Sequence, residues 1–279
     1  MAHKSAQAPV NSFDITDAGE LEEAAGRYAT RRLAELEDGA PLTNFTADDL
    51  SEVHRYLLQD IYPWGGDLRT EEVGAMGMPM CRAAYVPDML STVMKNIDKN
   101  PPSRTNMDEA IATVADHWGE LTIVHPFRDG NSRTQRYFFD QMMRDAGWSI
   151  DWTVVNANEV HAARYIAAAT TDSRFLADAL RPGVTTIDEG VDGTLQKTQG
   201  IRDNTTSAEL FHQMSQFRVE HPGQSFHDQH ITVTTPPPGY EVMSAPNATL
   251  RAGTGITDGT TMPDINNTIS KTNDAGLGD

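Results

Sequence analysis

The chain predicts a mainly α-helical fold carrying one small β-hairpin, followed by a largely irregular C-terminal region. Between residues 17 and 180, apolar residues recur at helical spacing, and most such stretches open on an Asp, Thr or Asn able to cap the first turn. Residues 70–86 break this pattern with Gly74, Gly77 and Pro79 among short apolar residues and methionines, which marks a hairpin. Beyond Pro182 the periodicity fades into scattered Gly, Thr, Asn and Pro.

Taken in order, residues 1–14 read as a flexible start. Asp17 and Glu20 have the spacing of a capping box that opens a charged helix to about Leu36, stopped by Asp38, Gly39 and Pro41. Thr46 with Asp49 opens a second helix, in which Leu50, Val53, Leu57 and Ile61 share one face, with His54 and Arg55 beside them. After the hairpin, Pro87 starts a helix with Met89, Val93 and Ile97 turned inward, ended by Asn100, Pro101 and Pro102. Thr105 with Asp108 opens what reads as the longest helix, whose Ile111, Val114, Trp118, Leu121 and Val124 lead straight to His125.

A second helix of this pair runs past Tyr137 to Ala146 and ends at Gly147. A short apolar link (Ile150, Trp152, Val154, Val155) then reaches Asn156 and Glu159, which start an alanine-rich helix to about Leu180. Residues 15–180 thus form the expected domain and residues 181–279 an extension with one weakly helical stretch, 207–219. From about residue 231 the Pro- and Gly-rich tail has too little apolar area to offset ordering entropy and is expected to be disordered.

A formal charge of -18 argues against nucleic-acid binding, which needs clustered lysine and arginine. The single cysteine, Cys81, excludes an internal disulfide framework. No stretch nears the roughly 20 apolar residues needed to span a bilayer, and no apolar run follows Met1 as a secretory signal would require. A cytoplasmic setting is expected. Delivery into another cell as an effector would need an uncleaved signal of another kind.

The richest stretch is residues 125–136, His-Pro-Phe-Arg-Asp-Gly-Asn-Ser-Arg-Thr-Gln-Arg. His125 can exchange a proton near neutral pH, and Asp129 can hold a divalent cation. Gly130 and Asn131 make a tight turn, after which the free amides of a new helix face the turn and form an anion site. Arg133 and Arg136, three residues apart, can fork onto phosphate oxygens. Arg136 also stands four residues from Asp140, the spacing of an intrahelical ion pair, and Asp129 by itself is also a common turn residue.

This stretch resembles the signature of the Fic family, His-x-Phe-x-(Asp/Glu)-Gly-Asn-Gly-Arg-x-x-Arg, whose active members transfer AMP from ATP to protein hydroxyl groups. Residues 53–69, with His54-Arg55-Tyr56-Leu57 and Tyr62-Pro63-Trp64-Gly65-Gly66, resemble the approach to the same site in that family. The resemblance covers residues 15–180 and implies a Fic-type helical domain, ATP as substrate and Mg2+ as cofactor. It implies His125 as general base, Phe127 as the anchor under the loop, and Asp129 as metal ligand. Gly130, Asn131, Ser132, Arg133 and Arg136 are implied to hold the nucleotide. The hairpin, with Gly77, Met78, Pro79 and Met80, corresponds to the family's flap, which positions an extended target segment by strand pairing. Ser132 departs from the family glycine, which implies altered affinity rather than a dead site.

Other patterns carry less. His227, Asp228 and His230 lack the ligand set of a zinc site, and Cys81 has only Arg82 as a basic neighbour. The implied partner is a protein with an exposed Tyr, Thr or Ser, without nucleic acid or membrane, and auto-modification is a further expectation. Kinase, UMP or phosphocholine chemistry, or a non-catalytic peptide-binding module, are the alternatives within the fold. Many relatives are held inactive by a (Ser/Thr)-x-x-x-Glu-(Gly/Asn) helix. Residues 185–190 match that pattern with Glu189, but β-branched residues make a poor helix there, so an antitoxin-like inhibitor protein is the competing expectation.

Overall fold

The computed structural model describes residues 8–187 and 206–224. Helix α1 (Ala18–Glu37) opens on Asp17, whose carboxylate accepts the amide of Glu20 at 2.9 Å, and buries Leu21, Ala24, Ala25 and Ala29. Helix α2 (Ala47–Leu58) starts with the full Thr46/Asp49 capping box and packs on α1. Residues 8–14, expected as a flexible start, are instead tied down. Asn11 is buried and accepts the amides of Phe13 and Ile15, Ser12 donates to the carbonyl of Ile61 at 2.7 Å, and Trp64 donates to that of Val10.

The hairpin consists of β1 (Gly74–Ala75) and β2 (Met78–Pro79), antiparallel with Ala75 opposite Met78. Its two turn residues, Met76 (φ 52°) and Gly77 (φ 77°), are both left-handed, the backbone that a tight two-residue hairpin requires. Helix α3 (Val86–Lys99) follows with Pro87 in its first turn. Val93 and Ile97 face inward as expected, but Met89 is exposed and Leu90 is buried in its stead, because the true inward stripe is Val86, Leu90, Val93, Met94 and Ile97.

Helix α4 (Met107–Val124) is the centre of the core, touched by α3 and by α5 (Asn131–Asp145), α6 (Ala157–Thr170) and α7 (Arg174–Leu180). Its cap is Asn106, one residue beyond the expected Thr105, and at 18 residues it is shorter than α1 at 20. Gly119 lets α6 approach: a Cβ there would lie 2.7 Å from that of Ala167. The helix expected from Asn156 to Leu180 is two helices, because Thr171 turns left-handed (φ 59°) and ends α6.

The C-terminal extension holds a strand that was not expected and, where a weakly helical stretch was, a full helix. Strand β3 (Trp148–Ile150) pairs antiparallel with β4 (Val184–Thr186), and α8 (Ser207–Glu220), capped by Thr206 and Glu209, packs on α6. Leu210, Met214 and Phe217 of α8 belong to the same apolar core as Val114 and Phe138. The extension therefore helps build the domain, since α6 is apolar on nearly all sides and needs cover on its outer face. No described helix is long and apolar enough to cross a membrane.

Candidate functional site

The site grows from the link between α4 and α5. Pro126 disfavours helical backbone at the residue before it, and His125 accordingly ends α4 in a left-handed conformation (φ 48°) while its amide still donates to Leu121 at 3.1 Å. The buried guanidinium of Arg69 receives the loose end: it donates to the carbonyl of His125 at 2.6 Å and to that of Val124 at 3.1 Å. Phe127 is fully buried and lies face to face with the imidazole of His54, centroids 3.8 Å apart.

His54 has one consistent protonation state. Its Nδ1 accepts the amide of Gly66 at 2.8 Å, so the ring proton sits on Nε2, which donates to the carbonyl of Asp129 at 2.8 Å. Burial pushes its pKa down to about 4, which keeps it neutral. Asp129 is held at two further points: Tyr62 donates its hydroxyl to Oδ2 at 2.7 Å, and the amide of Gly130 lies 2.6 Å from Oδ1. Burial, followed by the charge of Asp129, raises the Tyr62 pKa, so Tyr62 stays a donor.

Gly130 (φ 77°) forms the turn alone, and Asn131 is already the first helical residue of α5. A Cβ on Gly130 would stand 2.4 Å from Cδ1 of Leu58, so both space and backbone demand glycine. Two of the residues expected to hold the nucleotide have side-chain partners within the protein. The side chain of Asn131 is fully buried, and its amide accepts the Phe127 N–H at 3.0 Å and donates to the Phe127 carbonyl at 2.8 Å, closing the loop. The Ser132 hydroxyl faces inward, where Arg164 donates to it.

The remaining parts suit an anion. The amides of Asn131, Ser132 and Arg133 precede the first helical hydrogen bond, which runs from Thr134 to the Gly130 carbonyl at 3.1 Å. Arg133, in the same turn, carries a buried Nη1 with no hydrogen-bond partner. Arg136 does not pair with Asp140, which accepts instead from Arg144 and Trp152. Its guanidinium lies 4.5 Å from the centroid of the Trp152 ring, and burial lowers its pKa.

No cluster of three His, Cys, Asp or Glu occurs among the described residues. A magnesium ion could then be held only by a single carboxylate together with phosphate oxygens and water, its usual mode with nucleotides. Asp129 fits that demand: it is half-exposed, and each oxygen keeps a lone pair beyond the one engaged by Tyr62 or Gly130.

In the hairpin, Gly77 and Pro79 are exposed and Met78 is half-buried, while Met80 is buried with Ala75 against Tyr165. Met80 anchors the hairpin rather than offering a docking surface. Burial raises the Cys81 thiol pKa, which opposes a nucleophilic role. Glu189, His227, Asp228 and His230 lie outside the described residues. The start of the 185–190 pattern is strand, since Thr185 and Thr186 belong to β4.

Sequence reasoning assigned no role to Tyr62, Arg69, Gln135 or Arg164. Arg164 is fully buried and bonds the Ser132 hydroxyl, Gln135 Oε1 at 3.2 Å and the Tyr165 hydroxyl at 3.2 Å. Its signal was legible as the one basic Lys or Arg in an otherwise alanine-rich helix.

A family model described as Fic/DOC family matches residues 44–143. A curated relative from Escherichia coli (strain K12), named probable protein adenylyltransferase Fic, is 31% identical over 144 residues, covering 51% of this chain and 70% of the relative. Protein adenylyltransferase VbhT from Bartonella schoenbuchensis is 27% identical over 200 residues, covering 71% of this chain but 41% of the relative. Among solved structures, BepC from Bartonella tribocorum with bound AMPPNP superposes with a TM-score of 0.59 at 21% identity, covering 66% of this chain and 95% of that one. That likeness concerns the fold.

Proposed function

The chain belongs to the Fic/DOC family and is an enzyme of the protein adenylyltransferase class, and on that premise we propose that it transfers AMP from ATP to a Tyr, Thr or Ser hydroxyl of another protein. The observation that carries this reading is the buried, unpartnered Nη1 of Arg133, a residue of the first turn of α5, one short loop away from His125. A cation with an unused donor at a helix N-terminus is arranged for an anion with several oxygens.

In this reading His125 takes the proton of the target hydroxyl as its oxygen attacks the α-phosphorus of ATP. The bond from α-phosphorus to the bridging oxygen breaks, pyrophosphate leaves, and the target carries an AMP ester. The α5 amides and Arg133 stabilise the charge that builds on the phosphates, and Arg136 helps to hold the outer ones. Magnesium held through Asp129 would neutralise phosphate charge. His54, Tyr62 and Asn131 keep the loop rigid, so the reacting groups are positioned before ATP arrives.

The test is AMP incorporation from radiolabelled ATP into host-lysate proteins, with intact-mass analysis of the product. His125→Ala is expected to abolish incorporation while ATP affinity stays within about threefold, because the base acts on the acceptor and not on phosphate. Arg133→Ala is expected to weaken ATP binding itself. Retained labelling by the His125 variant would overturn the mechanism. An added mass of phosphate, UMP or phosphocholine in place of AMP would move the chain to another chemistry of the family.

A further inference from the structure

Arg69 is a buried cation that spends its side chain on backbone carbonyls. Nε donates to His125 at 2.6 Å, Nη1 to Glu71 at 2.8 Å, and Nη2 to both Val124 at 3.1 Å and Cys81. Its own amide donates to the carbonyl of Pro126 at 2.9 Å. No ion pair of Arg69 with a carboxylate occurs among the described residues, although Glu72 and Glu71 add favourable charge nearby.

Those acceptors belong to two different structures. Val124, His125 and Pro126 are the end of α4 and the start of the signature loop. Glu71 and Cys81 flank the hairpin on its entering and leaving sides. The amide of Cys81 also donates to the carbonyl of Ile123 at 2.9 Å, Ile123 packs on the hairpin's apolar side, and Arg128 of the loop pairs with Glu71, so Arg69 is the one side chain that bonds both flanks of the hairpin to the end of α4. A planar guanidinium can serve both structures at once; a lysine ammonium has three donors on a flexible stem and cannot span the same set.

We infer that Arg69 is a positioning residue that sets the hairpin at a fixed distance from His125, and so places the acceptor hydroxyl of a target lying along the hairpin against the base. This rests on the AMP-transfer reading above. Arg69 does not touch nucleotide or acceptor. It acts through the carbonyl of His125 and through the hairpin's flanks, and its loss separates acceptor placement from nucleotide binding.

The experiment compares the full chain with Arg69→Lys and Arg69→Gln in two arms. In the first, hydrogen–deuterium exchange is followed at the amides of Met80 and Cys81 and along α5. Loss of hydrogen bonds to buried carbonyls is expected to speed hairpin exchange by about tenfold or more while α5 is unchanged. In the second, ATP affinity in magnesium is measured by calorimetry alongside AMP incorporation into lysate proteins. Incorporation is expected to fall by about tenfold or more with ATP affinity within about twofold.

Unchanged hairpin exchange, or ATP affinity falling in step with incorporation, would overturn the inference. If the unsubstituted chain labels no protein at all, the AMP-transfer reading fails, and the exchange arm still decides whether Arg69 fixes the hairpin to α4.

Discussion

The imidazole of His54 supports the loop residue Asp129 from 75 positions away in the chain, donating Nε2–H to its carbonyl at 2.8 Å while stacking on Phe127. One side chain of α2 thereby sets both the height of the loop, through Phe127, and the direction in which Asp129 points. It can do so only as the neutral tautomer, because a proton on Nδ1 would oppose the amide of Gly66.

That requirement makes stability depend on pH. The ordinary histidine value is 6.5 and His54 in the folded chain sits at about 4. Above 6.5 the contribution is complete; as pH falls from there towards 4, the unfolded chain takes up a proton that the folded chain does not, and stability is lost. The loss is on the order of 3 kcal/mol. Urea unfolding of the chain and of His54→Gln between pH 7 and 4 should give a shallower pH dependence for the variant, and equal slopes would refute the assignment.

Gly130→Ala and Gly147→Ala separate crowding from backbone strain. Both glycines are left-handed, at φ 77° and 93°, but only Gly130 has a neighbour in the way, with Leu58 Cδ1 at 2.4 Å from a Cβ. Gly147→Ala is expected to cost about 1 kcal/mol, and Gly130→Ala about 2 kcal/mol or more. The Gly130 variant alone should also lose ATP affinity in calorimetry, because α5 must shift at its first turn.

Ser132→Gly would restore the family residue, yet it is expected to destabilise the chain. The hydroxyl accepts from the buried Arg164, and hydrogen bonds to charged groups contribute about 1.5–3 kcal/mol. Since that hydroxyl faces the core, ATP affinity should stay within about threefold, while the urea midpoint falls. A large gain in ATP affinity without loss of stability would show that Ser132 faces the nucleotide.

Tyr62→Phe removes the donor to Asp129 Oδ2 and leaves the carboxylate free to rotate. Calorimetry with ATP in the presence of magnesium should show a loss of about tenfold, the usual effect of losing a group that orients a metal ligand. The same titration in EDTA should be unchanged. Equal losses with and without the metal would mean that Tyr62 serves the fold and not the carboxylate.

The sequence by itself determined the elements whose causes are local. Asp17, Thr46 and Asn156 cap the helices they precede because a side chain needs only to reach an amide two or three residues ahead. The turn and helix start after His125 were legible for the same reason: Gly130 and the first turn of α5 are set within a few residues. Tertiary structure alone decided which distant side chains hold the loop. Ser132 met Arg164 32 positions later, and Arg69 reached His125 across 56. Buried polar groups take whichever partner the packing of distant helices supplies, because leaving one unpaired costs about 1–3 kcal/mol, and spacing along the chain carries no record of that choice.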